Sequence, residues 1–202
     1  MIYIFEIIVL VFSAIIHEYM HGFAADRLGD STAKDLGRLT LNPIPHIDLL
    51  GSIILPLLMI LSGSGIVFGW AKPVPFNPYN LRDQKYGPAK VALAGPLGNL
   101  ILAVMFALVL RLVPGLDSNL VSFLGMIVYI NLMLMVFNLL PIPPLDGSKV
   151  LAAFLPVKMQ LKFFELERFG LLIVLFFVLF ASNFISPIIA WFFQLLTGYN
   201  LF

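Results

Sequence analysis

Long apolar runs of about helical-span length, separated by short polar stretches, dominate the chain. Roughly 20 apolar residues in a helix cross the hydrocarbon core of a bilayer. Four runs meet that length: Ile2–Ala25, Pro88–Val113, Leu120–Leu140 and Phe169–Phe193. A fifth, Leu49–Trp70, carries Pro56 and the turn signal Ser62-Gly63-Ser64-Gly65, so it divides into two arms too short to cross alone. The first run has no positive cluster before it and no small-residue cleavage signature, and it contains His and Glu; it reads as a resident span rather than a signal peptide. The pattern predicts an all-α fold, a polytopic transmembrane helical bundle forming one domain over 1–202. Core spans fall at about 2–25, 88–113 and 120–155, a re-entrant or extra span at 49–70, and a C-terminal span at 169–193, with short extended loops between.

Composition agrees with this reading and narrows the function. Of 202 residues 60% are hydrophobic and 11% charged, against about 25% charged in a soluble domain. Soluble enzymes, disordered chains and nucleic-acid binders are excluded, and a net charge of +1 gives no field to steer an anionic polymer. With no cysteine there is no thiolate metal site and no thiol nucleophile. The lipid bilayer is the expected environment, specifically the plasma membrane.

Charge placement bears on the doubtful segment, because Lys and Arg accumulate in cytoplasmic loops. If the N-terminus is outside and Leu49–Trp70 dips in and returns, eleven of the twelve Lys and Arg residues are cytoplasmic, and only Arg111 is outside. A full crossing gives at best eight against four. The re-entrant arrangement is therefore expected. Such backbone is tolerated only when buried in protein or lining a wet cavity, so it should pack beside a functional site.

The first span contains His17-Glu18-Tyr19-Met20-His21. Histidines at i and i+4 share one helix face and can reach one ion, and Glu18 beside them can serve as general base toward a water. Two hydrogen-bonded histidines in a bundle is the plainer explanation of such a pattern. Three ionisable groups within one span are costly, however, and point to function. A catalytic zinc usually takes three protein ligands. The only Glu residues after Glu18 are Glu165 and Glu167, in an interfacial charge cluster, and Asp117 lies in the presumed outside loop. His46 stays open as a third ligand, but Asp146 is favoured. It follows Pro141, Pro143 and Pro144, which cannot continue a helix and force extended backbone at the inner end of a span. In the re-entrant arrangement both His17 and Asp146 fall near the cytoplasmic face.

These residues resemble the site-2 protease family of intramembrane zinc metalloproteases. HExxH on a first core helix and Asn138-Leu139-Leu140-Pro141-Ile142-Pro143-Pro144-Leu145-Asp146-Gly147 at the third match the family's two signatures. Ala94-Gly95-Pro96-Leu97-Gly98-Asn99 is similar to the small-residue and Asn motif of its middle core helix. Gly37–Pro43 and Gly69–Pro75 look like stretches of the compact prokaryotic members. The chain contains neither the PDZ nor the CBS sequences of some relatives. The resemblance implies a three-helix metalloprotease core with one zinc per chain, held by His17, His21 and Asp146, and Glu18 as base. It implies cleavage of single-span membrane proteins within or near their spans, and the charge-based topology puts the active site toward the cytoplasm. Asn138 is a candidate donor to substrate or oxyanion, and Asn99 a weaker one, as is Asn131. Extended backbone at Arg38–Asn42 or Val74–Asn77 could offer an edge to an unwound substrate. Two rivals remain at this point, a metal-ion transporter and a catalytically silent membrane scaffold.

Overall fold

The computed structural model describes residues 2–61 and 69–200, with the side chains of 2, 3, 56, 60, 171 and 178–183 left aside. Its order is α1 (Ile2–Leu28), α2 (Thr32–Asp35), a 3-10 turn at Ile44–His46, a π-helical turn at Leu49–Ile54 running into α3 (Leu55–Leu61), and a 3-10 turn at Pro78–Asn80. There follow α4 (Gly87–Leu112), α5 (Ser118–Asn138), α6 (Asp146–Ala152), α7 (Val157–Glu165), a 3-10 turn at Leu166–Phe169, and α8 (Gly170–Thr197). The architecture is all-helical, and no strand occurs among the described residues. Three helices within them are long and apolar enough to cross a membrane: Ile4–Leu28, Gly87–Leu112 and Ser118–Asn138. Of the run expected at Phe169–Phe193, Phe169 closes the preceding 3-10 turn and the rest lies in α8, a helix of 28 residues.

Local chemistry sets the ends of these helices. Pro88 stands in the first turn of α4, where its missing N–H costs nothing. The Asp117 carboxylate accepts from the backbone N–H groups of Asn119 and Leu120 at 2.9 and 3.1 Å, which starts α5. The three prolines at 141, 143 and 144 end α5 at Asn138. Gly198, at φ 80°, takes the left-handed position that closes α8.

The helices α1, α4 and α5 pack mutually, α8 lies on α4 and α5, and α6 packs on α4. Two seams of different chemistry result. Ala103, Ala107 and Leu110 of α4 meet Val128, Leu132, Met135 and Val136 of α5 and Ile185, Ile189 and Phe193 of α8 in an apolar core. On its other face α4 meets α1 across a seam holding Ser13, His17, His21 and Asn99, all buried. Close approach there depends on small residues: a Cβ on Gly98 would lie 2.6 Å from Met20 Cγ.

The segment after Asp48 turns back on its own start. The Asp48 carboxylate caps the π-helical turn at the Gly51 N–H, 2.7 Å away. Trp70 N–H then donates to the Gly51 carbonyl at 3.1 Å, Ser52 Oγ to the Trp70 carbonyl at 2.8 Å, and Lys72 N–H to the His46 carbonyl at 2.8 Å. The two ends of the predicted re-entrant segment are thus neighbours, while its turn at 62–68 lies outside the described residues. Arg38–Asn42 is not extended as expected: Leu39–Leu41 bend, and Asn42 and Thr40 bond locally.

Asp30 ties the returning chain to the end of α1. Fully buried, it accepts from the Thr32 hydroxyl and N–H, from Asn77 N–H at 2.6 Å and from Asn80 Nδ2 at 2.9 Å. Burial alone pushes its carboxyl pKa up, but the bonds from Thr32, Asn80 and Asn77 favour the anion and the net shift is downward. A lowered folded-state pKa contributes stability that is complete above the unfolded value, near 3.9, and is lost as pH falls through the folded value. Asp30→Asn should therefore lower the melting temperature of detergent-purified protein at pH 7 and flatten its loss between pH 5 and pH 3. Identical acid profiles for the two proteins would show that Asp30 contributes nothing to this linkage.

Candidate metal centre

In α1 a spacing of four residues stacks His17 and His21 on one face, with ring centroids 4.7 Å apart and planes at 88°. Helix α4 runs antiparallel beside them, so His17 meets Asn99 and His21 meets Gly95 and Val91, one turn apart on each helix. Asp146 arrives from the third side. After α5 ends, Ile142 N–H bonds to Leu140 O and Leu145 N–H to Ile142 O, each at 2.8 Å, and α6 then begins with Asp146 itself. Gly147 lies against the carbonyls of Leu139 and Leu140, where a Cβ would collide with the backbone. The Asn-Pro-Pro-Asp-Gly segment is a tight reversal, and it presents the carboxylate to α1.

His17 Nε2 lies 3.0 Å and His21 Nε2 3.1 Å from the same Asp146 oxygen, Oδ2. The three donor atoms fall within 4.8 Å of one another and all three residues are buried. The chemistry of this set fits a metal. His21 Nδ1 faces the Val91 carbonyl at 2.8 Å, an obligate acceptor, so Nδ1 carries a proton and Nε2 is the nitrogen left to the Asp146 side. An imidazole nitrogen and a carboxylate oxygen facing each other in a buried site are bridged by a cation, a proton or a metal ion. Gly95 leaves the room: a Cβ there would sit 2.5 Å from His21 Nε2 and 2.7 Å from His17 Nε2. Lys149, one turn along α6, places Nζ 3.7 Å from the other Asp146 oxygen, Oδ1.

A cavity of about 360 Å³ opens beside the cluster, lined among others by His17, Glu18, His21, Trp70, Pro73, Val74, Asn138, Asp146 and Lys149. Glu18 Oε2 accepts from Val74 N–H at 2.8 Å. Asn138 lines this cavity and donates one amide hydrogen to the Leu134 carbonyl at 3.0 Å, the local satisfaction of a helix end. Asn99 is placed differently from expectation. It is fully buried behind His17, with Oδ1 2.6 Å from His17 Nδ1, and it is not in the cavity wall. His46 is not brought to the cluster either; its Nε2 donates to the Thr40 carbonyl at 2.8 Å. Along Val74–Asn77 the N–H groups of Val74 and Asn77 are taken by Glu18 and Asp30, and residue 75 is proline. Only Phe76 retains an uncommitted N–H for an edge.

Comparison with known proteins agrees with the geometry. Peptidase family M50 matches over residues 114–181, which include α5 and Asp146. The chain is 38% identical over 190 residues to a Bacillus subtilis protein named "Putative zinc metalloprotease YwhC", covering 90% of this chain and 80% of that one. The chain belongs to peptidase family M50, the site-2 protease family. A Mycolicibacterium smegmatis protein named "Putative zinc metalloprotease Rip2" is 34% identical over 189 residues, 91% of this M50 chain and 68% of its own length. The Mycobacterium tuberculosis H37Rv protein of the same name is 31% identical over 186 residues, covering 91% and 70%. No solved structure matches this M50 chain.

The sequence did not reveal the Val74–Glu18 bond, the Val91 carbonyl behind His21, or Lys149 beside the carboxylate. For Gly95 a signal was present: it lies one helical turn from Asn99, as His21 lies one turn from His17. Gly95→Ala should therefore abolish stoichiometric zinc in purified protein, as should Asp146→Ala. Gly98→Ala should retain it, since the atom it meets belongs to the flexible Met20 side chain. Elemental analysis decides; a full equivalent of zinc in Gly95→Ala would refute the packing argument.

Proposed function

We propose that this M50 peptidase is a zinc-dependent intramembrane endopeptidase that hydrolyses peptide bonds within or near the transmembrane segments of single-span membrane proteins. The observation that carries the reading is the convergence of His17, His21 and Asp146 with Glu18 on one cavity inside the helical bundle. At 1.5 Å per residue α1 is about 40 Å long and His17 lies about 16 Å before its end. A hydrocarbon core of about 30 Å centred on that helix includes both histidines, toward the C-terminal end.

Bound by His17, His21 and Asp146, zinc supplies Lewis acidity toward water and the scissile carbonyl. The other roles fall to side chains of this chain. Glu18 takes the proton of the attacking water and returns it to the leaving amine. Its Oε2 is held by Val74 N–H, so Oε1 is the oxygen turned to the reaction. Asn138 has a second amide hydrogen beyond the one given to Leu134, and we assign that hydrogen to the carbonyl oxygen of the substrate. The extended wall from Trp70 to Phe76 confines the substrate against the cluster.

The neighbouring ends of the segment at Gly51 and Trp70 support a re-entrant path, with both flanking polar stretches on the cytoplasmic side, the plasma membrane being the bilayer. Single cysteines at Lys34 and Arg82, in a chain with no native thiol, should both be labelled only from the cytoplasm. Labelling from opposite faces would overturn this topology without touching the chemistry.

Glu18→Gln separates a hydrolase from a transporter or a silent scaffold. Loss of a general base typically costs about 10²–10⁴-fold in rate, so a cleavable span should accumulate intact while zinc stays near one per chain. Co-expression with a panel of single-span proteins, with bound zinc and substrate length read from the same preparation, is the measurement. Zinc-dependent flux in vesicles with no cleavage of any span would favour the transporter.

A further inference from the structure

Behind His17 a chain of buried amides crosses three helices. Asn131 of α5 donates through Nδ2 to the carbonyl of Ile127 at 2.9 Å, one turn back on its own helix. Its Oδ1 accepts from Asn99 Nδ2 of α4 at 3.0 Å. The same Asn99 nitrogen also donates to the Ser13 carbonyl of α1 at 3.1 Å, and Asn99 Oδ1 faces His17 Nδ1 at 2.6 Å. Asn99 and Asn131 are fully buried, so water supplies no alternative partner.

The direction of donation along this chain is not free. Backbone carbonyls only accept, so Ile127 O forces the Asn131 nitrogen toward it and the Asn131 oxygen toward Asn99. Ser13 O likewise forces the Asn99 nitrogen to its side. Both constraints turn Asn99 Oδ1 toward His17, and a carboxamide oxygen only accepts. His17 Nδ1 must then carry the ring proton. We propose that Asn99 and Asn131 form an amide relay, oriented by the carbonyls of Ile127 and Ser13, that locks His17 in the Nδ1–H tautomer and presents its Nε2 lone pair to the metal site.

The relay makes Asn99 and Asn131 positioning residues rather than substrate contacts. Its logic matches that of His21, where the Val91 carbonyl does the same work directly. An outer partner that fixes tautomer and ring orientation is typically worth about 10–100-fold in metal affinity. The inference rests on the metalloprotease reading only for the identity of the ion.

The test uses the full chain in detergent, zinc as the probe, and ¹⁵N-labelled histidine. With three histidines in the chain the imidazole spectrum is readable. In the metal-free wild type His17 and His21 should each carry a proton on Nδ1, toward Asn99 Oδ1 and the Val91 carbonyl, whether or not Nε2 also shares one with Asp146. His46 should be protonated at Nε2, which donates to Thr40 O. Asn99→Leu should mix the His17 tautomers and weaken zinc binding about 10–100-fold in a chelator competition. Asn99→Asp should lower the melting temperature, since it loses amide donors to Ser13 and Asn131, yet retain the Nδ1–H tautomer and wild-type zinc affinity. Either ionisation state of the new carboxyl leaves an acceptor toward His17. Equal zinc affinities for the two Asn99 variants, or an unprotonated Nδ1 on His17 in the wild type, would overturn the relay. If Asn99→Leu does not fold, Asn131→Leu removes one of the two holds on Asn99 and should shift tautomer and affinity in the same direction by less; no change in either overturns it. None of these readouts involves substrate, so zinc bound with the expected tautomers and no cleavage would defeat the protease reading and leave the relay standing.

Discussion

Turning two imidazole nitrogens and a carboxylate oxygen toward one point inside an apolar bundle is the constraint to which the rest of the structure answers. The Asp146 oxygen lies 3.0 and 3.1 Å from the two Nε2 atoms, and the far side of the His21 ring is committed to a backbone carbonyl. Unpaired, a polar group in such surroundings costs roughly 2–7 kcal/mol, and an isolated ion far more. A cation at the centre reverses the sign of this arrangement. A metal held there would make ligands of all three groups, and its binding would then be coupled to folding.

Satisfying that constraint divides the labour of α4 between its two faces. Toward α5 and α8 it shows Ala103, Ala107 and Leu110 and packs by contact alone. Toward α1 it shows Gly95, Gly98 and Asn99, with no side-chain volume where the imidazoles stand and a hydrogen-bonding group where one needs holding. Pro96, between them, lacks the N–H that would close on the Ala92 carbonyl. Interhelical hydrogen bonds in a membrane are worth about 0.6–2 kcal/mol each. The polar seam therefore adds little to stability in itself; its value lies in fixing orientation.

How much of this was legible in the sequence follows from how local each cause is. Spans, the paired histidines and Glu18 were readable because length and the i, i+4 spacing act within one helix. Asp146 was readable because three prolines announce a break in regular backbone and an inventory of 202 residues left few other carboxylates. Asn99 was seen as a polar residue in a span, but whether it faced the cavity or the back of His17 depends on the rotation of α4, which no local pattern encodes. The grip of Val74 on Glu18 was not legible, since a main-chain N–H carries no sequence signature. One cue was nonetheless there: Pro73 and Pro75 leave Val74 the only donor of that tripeptide, so its direction of bonding was the one question worth asking.

That donor ties the wall of the cavity to Glu18. The stretch from Trp70 to Asn77 leaves the π-helical turn at Gly51, lines the cavity, and ends on Asp30; between those anchors its Val74 N–H is bonded to Glu18. Two carboxylates, one beside the metal ligands and one past the end of α1, thus hold the same piece of chain by its backbone. An extended segment with no ladder of its own would otherwise leave its N–H groups unpaired at the edge of an apolar bundle, and each would cost on the order of 1–3 kcal/mol. Glu18 answers that need and is in turn held by it at one oxygen, beside the cavity it lines. A wall displaced by an entering chain would therefore disturb Glu18 at the same time, because the Val74 hydrogen bond joins the two.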